Sequence, residues 1–434
     1  MKLFPDHWKT DPVSALCTDV VDCVNKTAPI VDGPTEYKMI RTTNVKAGRI
    51  NLEDCRYVDE ATFIKWTRRI QPKRNDIVLT REAPLGEVGL LRSDESVFLG
   101  QRTMLYRANP KKLDQRFLYY SMLSTLVQGQ IRSQGSGATV EHLRVPDAES
   151  FLVAYPPLDE QCRIAALLSA YDDLIANNQR RIVLLESMAE EIYREWFVRM
   201  RFPGGGVIAA DSLHPPGWER RPIGEMTSLI KRGISPTYDD QAEYRVINQK
   251  CIRNGRLSMS EARTHSTATS EDKLLLSGDI LVNSTGAGTL GRAAVFDIDL
   301  HGVSCDSHVT IIRPKDIALY GEFLAYTVQL LQNYFESMAS GSTGQAELSR
   351  ELISRTNVLV PQSEILLRFA AAAGPIRKQR RVLLEQNERL AKLRDALLPR
   401  LISGKLRVDA LDIQFPPSML PTLEGAAEPA TPLS

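Results

Sequence analysis

Three short loop sequences carry the side chains best suited to selective chemistry, and each occurs twice at corresponding places. Thr80-Arg81-Glu82 corresponds to Asn283-Ser284-Thr285, Gln101-Arg102 to Ser307-His308, and Gly135-Ser136 to Gly341-Ser342. An arginine fork can pair with guanine, and an asparagine or glutamine amide with adenine, each through two hydrogen bonds. Backbone amides opened by glycine suit phosphate oxygens. The chemistry on offer is recognition of nucleic-acid bases, although each loop taken alone also reads as a plain turn. Catalytic patterns are missing. There is no GxxxxGK[ST] segment, no Asn- or Asp-Pro-Pro-aromatic run and no HExxH. His7, His142, His214, His265, His301 and His308 lack metal-ligand spacing. Gly286-Ala287-Gly288-Thr289-Leu290-Gly291 fits a dinucleotide fingerprint, but that site needs a helix next. Arg292-Ala-Ala-Val-Phe296 reads as a strand, so a β-hairpin is expected. No catalytic residue and no metal site is assigned, and the chain is expected to be inactive alone.

The elements that must position these loops are written twice. Trp8…Pro12 corresponds to Trp218…Pro222, Tyr37-Lys-Met-Ile40 to Tyr244-Arg-Val-Ile247, and Gly48-Arg49 to Gly255-Arg256. Asp76-Ile-Val-Leu79 corresponds to Asp279-Ile-Leu-Val282, and Phe117-Leu-Tyr-Tyr120 to Phe323-Leu-Ala-Tyr326. Gly135-Ser136 with Glu141 corresponds to Gly341-Ser342 with Glu347, and Gln179-Arg-Arg181 to Gln379-Arg-Arg381. The order is kept throughout, which marks an internal repeat. Between these positions the halves differ, so one scaffold carries two surfaces. Within each half, Leu105–Arg107 and Val309–Arg313 read as strands, and 116–127 and 321–335 as helices.

Each half closes on a long helical pattern. Ile164, Leu168, Tyr171, Ile175, Asn178, Ile182, Leu185, Ala189, Ile192 and Trp196 follow steps of four and three, a heptad seam. Residues 161–199 would span about 58 Å as one helix, which needs another long helix beside it. Phe369, Ala372, Ile376, Gln379, Leu383, Gln386, Leu390, Leu393 and Leu397 supply a second seam. Gly374-Pro375 is expected to split that helix, with Pro375 in the first turn of its longer part. Pro399 and Gly404 are expected to end it. The residues expected to pair the two helices are Ile164, Leu168, Tyr171, Ile175, Ile182, Leu185, Ile376, Leu383, Leu390 and Leu397.

Composition excludes a fibrous, disordered or membrane-spanning chain. Of 434 residues 43% are apolar and 25% charged, with formal net charge +1. Cys17, Cys23, Cys55, Cys162, Cys251 and Cys305 form no CxxC, and free thiols fit a reducing cytoplasm. No stretch is apolar for long enough to cross a bilayer, so a cytoplasmic protein without a membrane partner is expected. Charge is uneven, however. Residues 37–133 hold 18 Lys/Arg against 10 Asp/Glu, whereas 244–340 hold 9 against 10. The first globular region therefore suits a phosphate surface. The second has only a local patch, Arg245, Lys250, Arg253, Arg256 and Arg263.

Pro156-Pro157-Leu158-Asp159-Glu160-Gln161 opening one helix, Glu190–Phe197 ending it, and Arg394-Asp395-Ala-Leu-Leu-Pro399 through Leu406 ending the other complete a familiar layout. Over about residues 8–408 the chain resembles the specificity subunit of type I restriction-modification systems. Pro361-Gln-Ser-Glu364 departs from the first copy of the motif by lacking the second proline and the final glutamine. The resemblance implies an α+β fold: two similar mixed α/β target-recognition domains separated by two long antiparallel coiled-coil helices, related by a pseudo-two-fold repeat. The expected boundaries are 1–155 for the first domain, 156–201 for the central helix, 202–217 for a linker, 218–360 for the second domain, 361–408 for the distal helix, and 409–434 for a disordered tail. The resemblance also implies the partners: double-stranded DNA, two methyltransferase subunits that bind S-adenosylmethionine, and restriction (helicase-nuclease) subunits. No cofactor is expected in this chain. The alternative is a coiled-coil scaffold that does not bind DNA. A steep loss of affinity with salt separates the two.

Overall fold

The structure, a computed structural model, describes residues 4–135, 141–205, 214–286, 288–339, 347–409 and 411–419. Met1–Asn177 with Gln386–Ser434 forms one compact unit, and Asn178–Glu385 forms the other.

In the first unit Ile77–Arg81 is buried along its whole length, because sheet neighbours flank both of its edges and cores cover both of its faces. It lies inside a six-stranded sheet ordered Cys17–Asp22, Thr103–Ala108, Ile77–Arg81, Leu85–Leu90, Gly48–Ile50, Val45–Lys46. All pairings are antiparallel except that of Gly48–Ile50 with Leu85–Leu90. A smaller sheet holds Arg56–Val58, Tyr37–Ile40 and Val97–Leu99. Lys9–Pro12 pairs with Leu152–Tyr155. The helical stretch after the main strands breaks at Ser124, giving Gln115–Leu123 and Thr125–Gln134. Asp114 caps the first by accepting from the Arg116 and Phe117 amides, and Ser124 caps the second.

The second unit repeats this order. Its main sheet runs Thr227–Arg232, Val309–Pro314, Asp279–Asn283, Ala293–Phe296, all antiparallel. The smaller sheet holds Arg263–His265, Tyr244–Ile247 and Val303–Cys305. Glu219–Pro222 pairs with Asn357–Val360. The glycine-rich 286–291 segment joins two antiparallel strands, as a hairpin must, and Gly286, Gly288 and Gly291 adopt positive φ there. A buried ion pair recurs at the same sheet position: Arg107 with Asp76 at 2.6 Å, and Arg313 with Asp279 at 2.7 Å.

Both long helices are present, Leu158–Tyr193 with a widened last turn Arg194–Val198, and Ser363–Ile402. The division between units runs through both helices, not at the boundaries 155/156 and 360/361 expected from sequence. The helix ends have no interior of their own and complete the globular cores. Ile164, Ala165 and Leu168 join Leu401, Ile402, Phe117, Leu118 and Tyr106 in the first core. Tyr193 and Phe197 join Leu366, Phe369, Ala373, Phe323 and Ile280 in the second.

Three expectations are corrected. Pro375 does not split the distal helix, and Pro399 does not end it. Pro375 and Ala371, the residue whose carbonyl loses its donor, both lie on the exposed face, where water replaces the bond. Phe369 and Ala373, packed in the second core, hold that turn in place. The helix stops at Ile402, just before Gly404, whose φ is +68°. The tail is not structureless from 409: Leu411 accepts from Arg163, Ser418 from Arg116, and Ile413 and Met419 pack on the first core. Residues 420–434 lie outside the described residues. No described helix is long and apolar enough to cross a membrane.

Candidate nucleic-acid interface

In each unit two of these loops meet at one end of the main sheet, beside the segment that holds Leu143 in the first unit and Leu348 in the second. In the first unit Arg81 leaves its strand, donates its amide to the Arg102 carbonyl at 2.8 Å and accepts from the Leu143 amide at 2.9 Å. In the second, Ser284 donates to the His308 carbonyl at 2.8 Å and accepts from Leu348 at 2.8 Å. Isolated bridges Glu82–His142 and Thr285–Glu347 extend the same match. The backbone ties are thus identical while the side chains differ.

In the first cluster Glu82 stands between Arg102 at 3.3 Å and His142 at 3.3 Å. The Thr42 hydroxyl donates to the neighbouring Ala83 carbonyl at 3.0 Å, and Thr27 donates to Gln101 at 3.3 Å. Arg102 sits at φ 67°, in the left-handed region, at the turn into its strand. In the second cluster the Thr285 hydroxyl stands where the first has the Glu82 carboxylate. The Thr285 hydroxyl meets His308 Nδ1 at 2.9 Å and accepts from the Gln249 amide at 2.9 Å. Arg232 reaches the same loops, donating to the Ser307 carbonyl at 3.0 Å, to Leu348 at 2.8 Å and to Glu347 at 2.7 Å. Burial lowers the Arg232 pKa, and Glu347 works against that shift.

Accessibility divides the sequence-selected residues. Gln101, Arg102 and His308 are exposed and Ser307 is half-buried, so their side chains can meet a ligand. Thr80, Asn283 and Ser284 are fully buried and Arg81 nearly so. Thr80 donates to the Pro84 carbonyl and accepts from Glu87, Arg81 donates to the Leu143 carbonyl, and Asn283 donates to the Gln249 carbonyl. Ser284 shares a hydrogen bond with Thr310 at 2.6 Å. These four shape the loops from inside and present nothing to a base, which corrects their assignment as direct contacts. Gly135 is described and packs closely against Leu85; Ser136, Gly341 and Ser342 lie outside the described residues. Sequence reading did not select Glu82, His142, Thr285 or Gln249 as site residues. Glu82 ends Thr80-Arg81-Glu82 and Thr285 ends Asn283-Ser284-Thr285, and His142 follows the repeated Glu141, whereas nothing in the sequence marks Arg232. His265 is buried with neither ring nitrogen hydrogen-bonded, and its register position matches Val58 of the first unit. Burial lowers its pKa, so it stays neutral and serves as core. Among the described residues no cluster could hold a metal ion.

The helices pair in both units. In the first, the Arg394 side chain reaches Asp172 at 2.6 Å and Asn387 reaches the Ile175 carbonyl at 3.4 Å. In the second, Arg380 reaches Glu186 at 3.3 Å, and Phe369 packs on Tyr193, Trp196 and Phe197 at ring distances of 4.9–5.9 Å. Rising numbers on one helix meet falling numbers on the other, so the pairing is antiparallel in each unit. Ile164, Leu168, Ile175, Ile182 and Leu383 are buried, and Tyr171, Leu185, Ile376, Leu390 and Leu397 are half-buried. On the distal helix half the seam is displaced by one residue. Ala373, Arg380, Asn387 and Arg394 turn inward, where the sequence pattern pointed to Ala372, Gln379, Gln386 and Leu393; Leu393 is 53% exposed. The displaced line is polar because its arginines find carboxylates on the opposite helix. Burial disfavours the Arg394 charge, but Asp172 and Asp395 outweigh it and raise the pKa.

Two similar α/β domains, each joined to parts of two antiparallel helices and each presenting a matched loop cluster, define a two-headed recognition protein built on a duplicated frame. Residues 19–187 and 215–370, most of the chain, match the type I restriction modification DNA specificity domain, and the chain belongs to that family. It is 25% identical over 369 residues to the specificity subunit of the type I restriction enzyme MjaIX of Methanocaldococcus jannaschii, covering 82% of this chain and 83% of that one. The MjaVIII specificity subunit of the same organism is 24% identical over 372 residues, covering 81% and 84%. The crystal structure of the S subunit of a type I restriction-modification system from M. genitalium shares the fold, with TM-score 0.58, 18% identity and coverage of 92% and 98%.

Proposed function

We propose that the chain reads a split double-stranded DNA target, one half-site per unit, and holds two methyltransferase subunits over it. The observation that carries this reading is the loop cluster repeated with the same backbone ties and different side chains. One backbone frame with two sets of donors suits two half-sites of different sequence. Arg102 offers a guanine-pairing fork in the first unit. His308 with Ser307 offers a smaller donor–acceptor set in the second. For phosphates the first unit offers Lys46, Lys65, Arg68 and Lys73 and the second Arg245, Lys250, Arg253 and Arg263, all exposed and in no ion pair among the described residues.

The long helices serve as spacer and as dock. Leu174, Val183, Leu184, Met188, Val382 and Leu393 are 40–63% exposed along them, more apolar surface than a solvated helix needs. The methyltransferases, carrying S-adenosylmethionine, seat there and flip their target adenines for chemistry. Restriction subunits join the same assembly. The chain itself performs no chemical step; it selects the site and positions those that do.

Domain exchange tests the reading. Replacing residues 8–155 with the corresponding region of another specificity subunit should change one half of the methylated motif and leave the other intact. A change in both halves, or affinity for DNA that does not fall with salt, would refute it.

A further inference from the structure

Two carboxylates on the central helix, Asp172 and Glu186, each bind a residue of the globular domain and a residue of the distal helix at once. Asp172, with its side chain 4% exposed, accepts from Arg394 of the distal helix at 2.6 Å. It also accepts from Arg92 at 3.1 Å and from the Tyr120 hydroxyl at 2.7 Å, both in the globular part of the first unit. Glu186 accepts from Arg380 of the distal helix at 3.3 Å, and from Arg256 of the second globular part at 2.8 Å and 2.5 Å. Its hydrogen bond raises the Arg256 pKa. Arg380 continues to Asp297 at 3.2 Å, and Arg381 donates to the Asp297 carbonyl at 2.8 Å. The two junctions correspond. Asp172 and Glu186 stand two whole heptads apart on one helix, and so do Arg380 and Arg394 on the other. Arg49, which matches Arg256 in the repeat, feels the Asp172 charge.

An apolar heptad seam looks the same after a shift of seven residues, so leucine packing by itself sets register weakly. A charge that needs one particular partner does not look the same after any shift, whether it is buried like Asp172 or part-exposed like Glu186, whose side chain is 27% exposed beside an Arg256 that is 39% exposed. We propose that Asp172 and Glu186 are positioning residues: each locks its recognition domain to the helix pair, and the two locks hold the gap between half-sites at one length. This inference rests on the split-target reading.

The test maps methylated motifs for the full chain assembled with its methyltransferase. Wild type should show two half-sites with a single gap. Glu186→Gln and Arg256→Gln should keep both half-site sequences while raising the share of sites with a longer or shorter gap roughly three- to fivefold, the effect of a part-exposed pair. Glu186→Asp and Asp172→Glu, which exchange the carboxylates the two units already use, should keep the single gap. A purely structural role would lower methylation without changing the gap. If Glu186→Gln abolishes methylation, Arg256→Gln decides, because it removes one link and leaves no unpaired cation behind. A single unchanged gap in Arg256→Gln, or gaps broadened as much by Glu186→Asp as by Glu186→Gln, overturns the lock alone. A wild type with no split motif overturns the reading beneath it as well.

Discussion

Replacing Asp279 by alanine should cost the second unit about 3–5 kcal/mol, because it strands a buried cation. The Asp279 side chain is fully buried. It accepts from Arg313 Nε at 2.8 Å, from Nη2 at 2.7 Å and from the Leu276 amide at 2.8 Å. Without it, the Arg313 guanidinium keeps only the Leu274 carbonyl. For a unit of this size each kcal/mol is worth roughly 2–4 °C, so the melting temperature should fall by about 6–20 °C. The repeat provides an internal control. Asp76 makes the same bonds to Arg107 at 2.8 and 2.6 Å and to the Lys73 amide at 2.7 Å. Arg107, however, is more exposed than Arg313 and keeps Asp19 at 3.5 Å. Asp76→Ala should therefore cost less, about 2–3 kcal/mol. Replacing both members, Asp279→Leu with Arg313→Met, should recover most of the loss, since a packed apolar pair carries no desolvation debt. Urea and thermal unfolding of the purified chain measure all three variants against the wild type. A loss of less than about 1 kcal/mol in Asp279→Ala, the range of a surface pair, or a larger loss in Asp76→Ala than in Asp279→Ala, would refute the buried-pair account.

Arg102→Ala should weaken DNA binding by about 1–3 kcal/mol and relax one base position of one half-site, with the other half-site unchanged in a binding-site selection. His308→Ala should do the converse; relaxation of the same half-site by both would break the assignment of one half-site to each unit. Burial, with Asp114 and Asp159 nearby, pushes the Cys162 thiol up to about 11. Little thiolate then exists at pH 8, so iodoacetamide should label it roughly a hundredfold more slowly in the folded chain than in urea. Equal rates in the two states would show the thiol is not shielded. Pro375→Ala restores a helical donor on an exposed face and should stabilise the chain by about 1–3 kcal/mol in unfolding experiments; destabilisation would mean that the helix needs the proline.

The duplicated frame was legible because its markers are structural. Asp76 and Asp279, Gly48 and Gly255, and Trp8 and Trp218 recur since each does one backbone or core task in both units. Trp8 and Trp218 are both buried, and each donates its amide to the carbonyl three residues before it. The loops were legible in position but not in role. Thr80 and Asn283 look like base readers by residue type, yet one caps its own turn and the other ties Gln249, and both are buried. A polar side chain just after a strand is as useful for closing the loop as for meeting a ligand, and only burial separates the two.

The distal helix shows where pattern reading runs out in physical terms. Two lines of residues, displaced by one position, both keep the heptad step from Phe369 onward. The rule that apolar residues face inward favours the line through Leu393, and the structure uses the one through Arg394. What decides between them is not on that helix. Asp172, buried, and Glu186, half-buried, sit on the central helix, far away in sequence, and an arginine facing either carboxylate pairs with it where a leucine would leave it without a cation. The Arg394 and Arg380 contacts could have been anticipated only by reading the two helices against each other, antiparallel and in register. Under that alignment the acidic residues of one line up with the basic residues of the other, two heptads apart on each. The charged pairs therefore lie on the same helix faces as the apolar residues that join the two helices in each core.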